Sequence, residues 1–408
     1  MAKKSLKNAQ FSTDNKVAFL QALDLFEDDS TVSKLDVEEE FTPTGSIVWD
    51  QVLRLKGIPR GGRIIQIHGK EHGGKSTLTY NICKGYQKAT GQPVCIFDFE
   101  GTATGEYLRL NGVNTERDAL VLFRENSVEN CIKKTITLMK AGVKLFIFDS
   151  IPRMKSQIDE KEIMNGSAFK ATYGGHAKSM NLFFDTLLPY AQQYDCVFIM
   201  VNQIRARIEQ SMEAQMAVKY ATITNPNYQL PGGWAVKFYP SLTIEVSVGK
   251  ALRAGGGETD WDIEPGDNKG GYVATRIKVR VMKNKVTMGG YREHILYLRP
   301  GLGLDDNISV RELAHKYKLI QNKGRKYIIG LETNPIATYD SKDEAIRDLV
   351  IDQNPNVLAK LRQLVITAIE SDNDAFKAEI SADERDIVEA DGRVVTSQVK
   401  FEDEDDFE

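Results

Sequence analysis

The sequence predicts an α/β protein. It reads as a mostly parallel central sheet flanked by helices, with an N-terminal helix and strand before it and a small α+β region after it. Three observations predict this class. Short apolar runs alternate with helix-length segments from about Thr44 to Val201, as strands joined by crossover helices do. Most of the strand-like runs are continuously apolar rather than alternating, which fits strands covered on both faces. One junction between such a strand and a helix carries Gly69-Lys70-Glu71-His72-Gly73-Gly74-Lys75-Ser76, which fits G-x-x-x-x-G-K-[ST].

The elements follow in order. Phe19, Leu20, Leu23 and Phe26 lie at three- and four-residue steps and predict one amphipathic helix, followed by a polar stop and an extended piece from Val32 to Val37. Strands are predicted at Ile64–His68, Val94–Asp98, Leu145–Phe148 and Val197–Val201, with helices at Thr77–Lys88, Val128–Lys140 and about Ala177–Tyr194. From Ser241 strands follow one another: Leu242–Val248, Val273–Met282 and His294–Leu298, the first two joined by a Gly-rich stretch from Ala254 to Gly271. Past Gly301 come helical patterns at Val310–Tyr317, Lys342–Leu349 and Pro355–Ile369, with Lys326–Ile329 extended. The expected organisation is an N-terminal helix and linker strand over 1–40, a core over 41–300, a small C-terminal domain over 301–371 and an acidic, disordered tail over 372–408.

Composition narrows the classes. With 408 residues, 41% hydrophobic and 27% charged, the chain has apolar content enough for two or three domains, so disorder is not its main state. No apolar run approaches the length of a membrane span, and the N-terminus lacks a secretory pattern, so the expectation is a cytoplasmic protein with no membrane partner. The net charge of −4 hides an asymmetry. Residues 371–408 carry 14 acidic and four basic side chains, net −10, and the preceding 370 carry 49 basic and 43 acidic, net +6. An acidic tail on a basic body either solvates the chain or competes with nucleic acid for the basic surface. Cys83, Cys95, Cys131 and Cys196 form no CxxC pair, and the five histidines are scattered. Buried small hydrophobes and no zinc site are expected.

The phosphate-loop pattern carries chemistry. Its glycines let successive N–H groups turn inward toward phosphate oxygens, and the following helix directs its positive end at the same anion. Lys75 suits the β- and γ-phosphates of a nucleotide and the Ser76 hydroxyl suits Mg²⁺. Ligands in open α/β sheets bind at the carboxyl ends of strands. Asp149 and Glu100 stand at such ends, Asp149 as a carboxylate for the cation and either Asp98 or Glu100 as the base that positions water. The plainer alternative is a set of solvated strand-end carboxylates.

With these residues in place the chain resembles the RecA family of ATP-dependent homologous recombinases, from about residue 40 to 370. Thr44-Gly45-Ser46 and Gly57-Ile58-Pro59-Arg60-Gly61-Gly62-Arg63 resemble the family's entry into its ATPase core. Glu71 keeps the family's loop glutamate; Phe97-Asp98-Phe99-Glu100 resembles the strand end bearing the catalytic glutamate, here Glu100; Tyr107 matches the tyrosine packed on adenine; Phe148-Asp149-Ser150 matches the Mg²⁺-associated aspartate. Asn202-Gln203-Ile204-Arg205 is similar to the segment whose glutamine senses the γ-phosphate. Gly232-Gly233-Trp234-Ala235-Val236-Lys237-Phe238-Tyr239 resembles the close of the second DNA-binding loop, and Lys283-Asn284-Lys285 the lysine pair that reaches a neighbouring subunit's ATP. Tyr327 and Asn354-Pro355-Asn356 are similar more loosely. The departures are Lys70 in place of a usual proline, His72 and Gly73 in place of serines, Thr104 in place of an aspartate near adenine, a longer second loop and a longer acidic tail.

The resemblance implies a RecA-like fold and a DNA-stimulated ATPase forming helical filaments on single-stranded DNA and pairing it with double-stranded DNA. It implies ATP held by Gly69, Glu71, Gly73, Gly74, Lys75, Ser76, Thr77, Tyr107 and Asp149, Mg²⁺ by Ser76 and Asp149, and catalysis by Glu100, Lys75 and Gln203, with Lys283 and Lys285 in trans. It implies a first DNA loop with Arg153, Lys155, Lys170, Gly174 and Gly175, followed by Lys178, and a second with Arg205, Arg207, Lys219, Tyr220 and Tyr228, closed by Gly232 and Gly233. The N-terminal helix is expected to pack on the next subunit. A ring-shaped motor on the same core and an ATP-gated scaffold without turnover stay open as other readings.

Overall fold

The computed structural model describes residues 40–125, 127–156, 175–206, 228–253, 272–287, 292–351 and 353–389. The expected N-terminal helix and Val32–Val37 strand, most of both expected DNA loops, the Gly-rich 254–271 stretch and the end of the tail lie outside them. From Phe41 onward the chain clusters as one compact unit.

The entry segment pairs β1 (Phe41–Thr42) with β2 (Ile58–Pro59) around a short π-helical turn, Val48–Val52. Then come β3 (Ile64–Gly69), α1 (Lys75–Thr90), β4 (Val94–Asp98), α2 (Gly105–Leu110), β5 (Leu120–Phe123), α3 (Val128–Lys140) and β6 (Leu145–Asp149). After them run α4 (Gly175–Gln193), β7 (Val197–Gln203), the two-residue strands β8 (Arg205–Ala206) and β9 (Tyr228–Gln229), and the single turn α5 (Ala235–Phe238). The long strands β10 (Leu242–Arg253), β11 (Tyr272–Asn284) and β12 (Glu293–Arg299) lead to β13 (Gly303–Leu304). The nine-stranded sheet has the order β13-β12-β11-β10-β3-β7-β6-β4-β5. Strands β10 to β5 in that order are parallel, and β10 to β13 antiparallel.

The predicted strands and helices of the core are all present, several running one to five residues longer. The edge strand β5 and the short helix α2 were not anticipated. Burial follows the pleat. Ile65, Ile67, Ile96, Ile147 and Ile199 face α1, whose Leu78, Ile82 and Cys83 cover them. Phe97, Phe146, Phe148 and Phe198 face α3 and α4, with Phe148 stacked on Phe97 at 5.0 Å and edge-on to Phe183 at 5.0 Å. Successive strand residues point to opposite faces, so an unbroken apolar run supplies both layers. The four cysteines are buried and free, as expected.

Beyond the sheet lie α6 (Asp306–Lys316), the antiparallel sheet β14 (Ile320–Lys323), β15 (Lys326–Leu331) and β16 (Asn334–Tyr339), then α7 (Lys342–Ile346) and α8 (Pro355–Glu389). Helix α8 runs past its expected end at Ile369 into the acidic segment. Leu361 and Val365 of α8 and Val310 of α6 share one apolar cluster with Ile65 and Leu78 of the core. Asp306 accepts from Ser46 Oγ at 3.0 Å and pairs with Arg362, whose Nη2 donates to the Gly45 carbonyl at 2.7 Å. The Thr44-Gly45-Ser46 segment is thus held against the C-terminal elements.

Candidate nucleotide site and nucleic-acid interface

Register alone assembles the site. Parallel pairing sets Asp98 beside Asp149 and Gly69 beside Gln203, so four strand ends open on one edge. The phosphate loop leaves β3 at Gly69, where a Cβ would stand 2.0 Å from the Val246 carbonyl oxygen, and enters α1 through Gly74 at φ +80°. His72 takes the same left-handed region at φ +56° without being glycine.

Lys75 is buried, and its ammonium donates to the Lys70 carbonyl at 2.6 Å. Burial pushes its pKa down, and Asp149, Glu100 and Glu71 oppose the shift. Burial pushes the Asp149 carboxyl up to about 6, with Glu100 and Asp98 adding and the Ser76 hydroxyl, which donates to it, opposing. A carboxylate beside a hydroxyl is a hard-oxygen donor set that fits Mg²⁺, which keeps waters and phosphate oxygens as its other ligands.

Glu100 is oriented from two sides. Its Oε1 accepts from Ser150 Oγ at 2.6 Å and from Gln203 Nε2. Asp98, the other carboxylate considered as base, is buried and occupied. Its oxygens accept from the backbone N–H groups of Gly101 at 2.8 Å, Thr102 at 3.3 Å and Ala103 at 2.9 Å. It shapes the turn that carries Glu100.

A cavity of about 520 Å³ opens at these strand ends, a volume in the usual range for small-molecule sites. Glu71, Gly73, Gly74, Lys75, Ser76 and Thr77 form one wall, and Glu100, Asp149 and Gln203 another. Tyr107 also lines it, its hydroxyl 2.8 Å from Thr77 Oγ1 and its ring edge-on to Tyr80 at 5.9 Å. Thr104 does not line the cavity. Its hydroxyl oxygen caps α2 by accepting from the Tyr107 N–H at 3.1 Å.

Sequence reasoning missed several lining residues. Tyr80 is one turn beyond Ser76 and Thr77 on α1, so helical spacing could have found it. Thr275, Ile277 and Leu298 come from β11 and β12 and carry no local signal. Arg153, expected on a DNA loop, also lines this cavity. It ends the short 3₁₀ turn Ile151–Arg153 directly after Asp149 and Ser150.

Lys283 and Lys285 do not reach the cavity of their own chain. Lys283 Nζ donates to the carbonyls of Lys237 at 2.9 Å and Phe238 at 3.0 Å, closing the C-terminal end of α5. Burial, then the neighbouring charge of Lys285, holds its pKa down at about 8.

Of the expected DNA contacts, Lys170, Gly174, Arg207, Lys219 and Tyr220 lie outside the described residues. Lys155 and Arg205 are exposed. Gly175 is the first residue of α4 rather than a loop residue, and Lys178 is exposed on the first turn of that helix. Gly232 at φ +107° and Gly233 at φ +68° form the turn into α5, and a Cβ on Gly233 would meet Ala177 Cβ of α4 at 2.8 Å. The close of one loop therefore packs on the end of the other. Beside this turn Trp234 and Phe238 are largely exposed, stacked at 5.4 Å, with Lys237 Nζ 4.9 Å above the Trp234 ring. Among the described residues no cluster of three or more His, Cys, Asp or Glu could hold a metal, and no helix is long and apolar enough to cross a membrane.

The model of the RecA N-terminal domain matches residues 26–299. Among similar curated proteins, Protein RecA of Cereibacter sphaeroides (strain ATCC 17023) is 30% identical, over 72% of this chain and 76% of that one. Protein RecA of Mycoplasma genitalium is 24% identical, over 91% of this chain and 98% of that one. Protein RecA of Borrelia duttonii is 28% identical, over 71% of each chain. A domain match over most of the chain, on the fold and strand-end arrangement described above, makes this chain a member of the RecA family.

Proposed function

We propose that this protein is an ATP-dependent DNA recombinase. It forms helical filaments on single-stranded DNA and exchanges strands with homologous double-stranded DNA, hydrolysing ATP between adjacent subunits. The observation that carries the reading is the Glu100–Gln203 contact. The carboxylate best placed to orient water is held by the side chain at the end of β7, and two residues further on the chain enters the segment expected to bind DNA.

Glu100 orients the attacking water and takes its proton. Lys75 and the N–H groups of Gly73, Gly74 and Ser76 bind the phosphates. Ser76 and Asp149 would hold Mg²⁺, which when bound neutralises charge on the phosphates. Tyr107 and Thr77 border the base. Arg153, which lines the same cavity as Glu100 and Gln203, contributes positive charge from within the subunit. Lys283 and Lys285 add charge from the next subunit, as an arginine finger does. Ordering of the loop after Gln203 by the γ-phosphate is a known kind of switch. Arg205, Lys155 and Lys178 neutralise DNA phosphates without reading sequence. Residues 1–40 supply the subunit contact.

The test is negative-stain imaging with single-stranded DNA plus either a slowly hydrolysed ATP analogue or ADP, joined to a strand-exchange assay. Extended filaments with the analogue alone, and exchange of homologous strands, are expected. Closed rings that unwind duplexes would replace this reading with a motor.

A further inference from the structure

The phosphate loop touches the second DNA segment at a place other than Gln203. The carbonyl of Lys70 accepts from the Lys75 ammonium at 2.6 Å and from the Gly73 N–H at 3.2 Å. The Lys70 backbone therefore sets where the phosphate-directed ammonium rests. Its own ammonium lies 4.9 Å over the centre of the Tyr228 ring. Tyr228 belongs to β9, whose pairing with β8 brings the two ends of the 206–228 segment together. The approach to that segment meets the same loop, because the Ile204 N–H donates to the Gly69 carbonyl at 3.2 Å. A second cavity of about 440 Å³ lies between these parts, lined by Lys70, Ile204, Tyr228, Val246 and Val248. Glu71 lines both this cavity and the nucleotide cavity.

We propose that Lys70 and Tyr228 form a positioning pair that couples the phosphate loop to the β8–β9 segment. Nucleotide binding and DNA binding are then linked through Lys70 as well as through Gln203. The inference rests on the functional reading above and adds a specific route to it. A phosphate oxygen that draws the Lys75 ammonium takes that donor from the Lys70 carbonyl, and the planar peptide carries the resulting displacement into the Lys70 side chain. The displacement does not pass down β3, because Gly69 is packed against the Val246 carbonyl with no room for even a methyl group. The neighbouring cavity gives the side chain and ring room to shift. The contact needs a cation on one side and an aromatic face on the other. The usual proline of the family at this position has no cation, so the route belongs to this chain.

Linkage is reciprocal, so one measurement reports it. The affinity for a labelled single-stranded oligonucleotide is measured by anisotropy with a slowly hydrolysed ATP analogue and with ADP. The ratio of the two affinities is the readout. Lys70→Met and Tyr228→Leu are each expected to reduce that ratio by about three- to tenfold. The double variant reduces it no further than either single one, since both remove the same contact. Lys70→Arg and Tyr228→Phe keep most of the ratio, which a merely structural role for the two side chains would not predict as a set. An unchanged ratio in Lys70→Met, or single effects that multiply in the double variant, overturns the pair. If Tyr228→Leu loses its cooperative melting transition, Tyr228→Phe, Lys70→Met and Lys70→Arg decide the matter. A wild-type ratio of one would overturn the functional reading, and the pair with it.

Discussion

Glu100 has its carboxylate held by Ser150 and Gln203, while Asp98 spends its oxygens on three backbone N–H groups. That difference is why the proposed reading gives the base to Glu100 rather than to Asp98. On that reading Glu100→Gln keeps the shape and removes the proposed base, so ATP turnover is expected to fall by about 10²–10⁴-fold. Nucleotide binding, followed with a fluorescent analogue, should stay within a few-fold. Turnover near the wild-type rate would move the base elsewhere. Arg153 offers a second residue-level test, because its place on the nucleotide cavity and its expected place on a DNA loop predict different losses. Arg153→Ala should lower turnover at saturating DNA at least about tenfold. The salt dependence of DNA binding should not change. A slope shallower by about 0.7–0.9 with normal turnover would return Arg153 to the DNA.

Helix α1 connects the loop to the rest of the molecule. Gly85, on its buried face, lies under the entry segment, and a Cβ there would stand 1.9 Å from the Thr44 carbonyl oxygen. Thr44 is itself fixed, with its N–H and its hydroxyl, at 2.7 Å, both donating to Asp50. The backbone has no easy way to yield, so Gly85→Ala should destabilise the fold by about 1–3 kcal/mol through overpacking. Urea denaturation measures this, and a change below half a kcal/mol would mean the entry segment moves freely. The same element explains why a short motif can serve a large site. Lys75 and Ser76 open α1, and Tyr80 follows on the same face.

For the molecule as a whole, the burial of histidine sets a pH dependence. His68, in the middle of the sheet, has no hydrogen-bond partner for either ring nitrogen among the described residues. Burial, and then the charge of Lys75, lowers its pKa to about 3. Burial also lowers His315 to about 4, and lowers His294. A histidine held neutral in the fold protonates first in the unfolded chain. Its contribution is complete above about pH 6.5 and is lost as pH falls toward the folded value. Stability should therefore decline from about pH 6.5 to 3, with His68 contributing a slope of up to about 1.4 kcal/mol per pH unit. Replacing His68 with Asn removes that share. Urea midpoints across this window check it, and identical slopes for both proteins would show that His68 gains a proton in the fold.

Much of this protein was legible before any coordinates. Continuous apolar runs named the core strands because burial on both faces leaves no polar alternation, and the phosphate loop was readable because its backbone chemistry is local. Glu100 and Asp149 could be singled out because strand ends are local features too, whereas Gln203 came from the resemblance alone. Other features depended on pairing between distant segments. The short edge strand β5 gains its identity only from β4, and the cavity wall at Thr275, Ile277 and Leu298 is supplied by strands some two hundred residues beyond the loop. Tertiary structure likewise carried Arg153 to the phosphate-loop cavity, occupied Asp98 with backbone donors and set Lys70 over Tyr228. Chain-local patterns specify which backbone can form and which side chains must be buried. Which charges finally face one another is decided by the register of strands that are far apart in sequence.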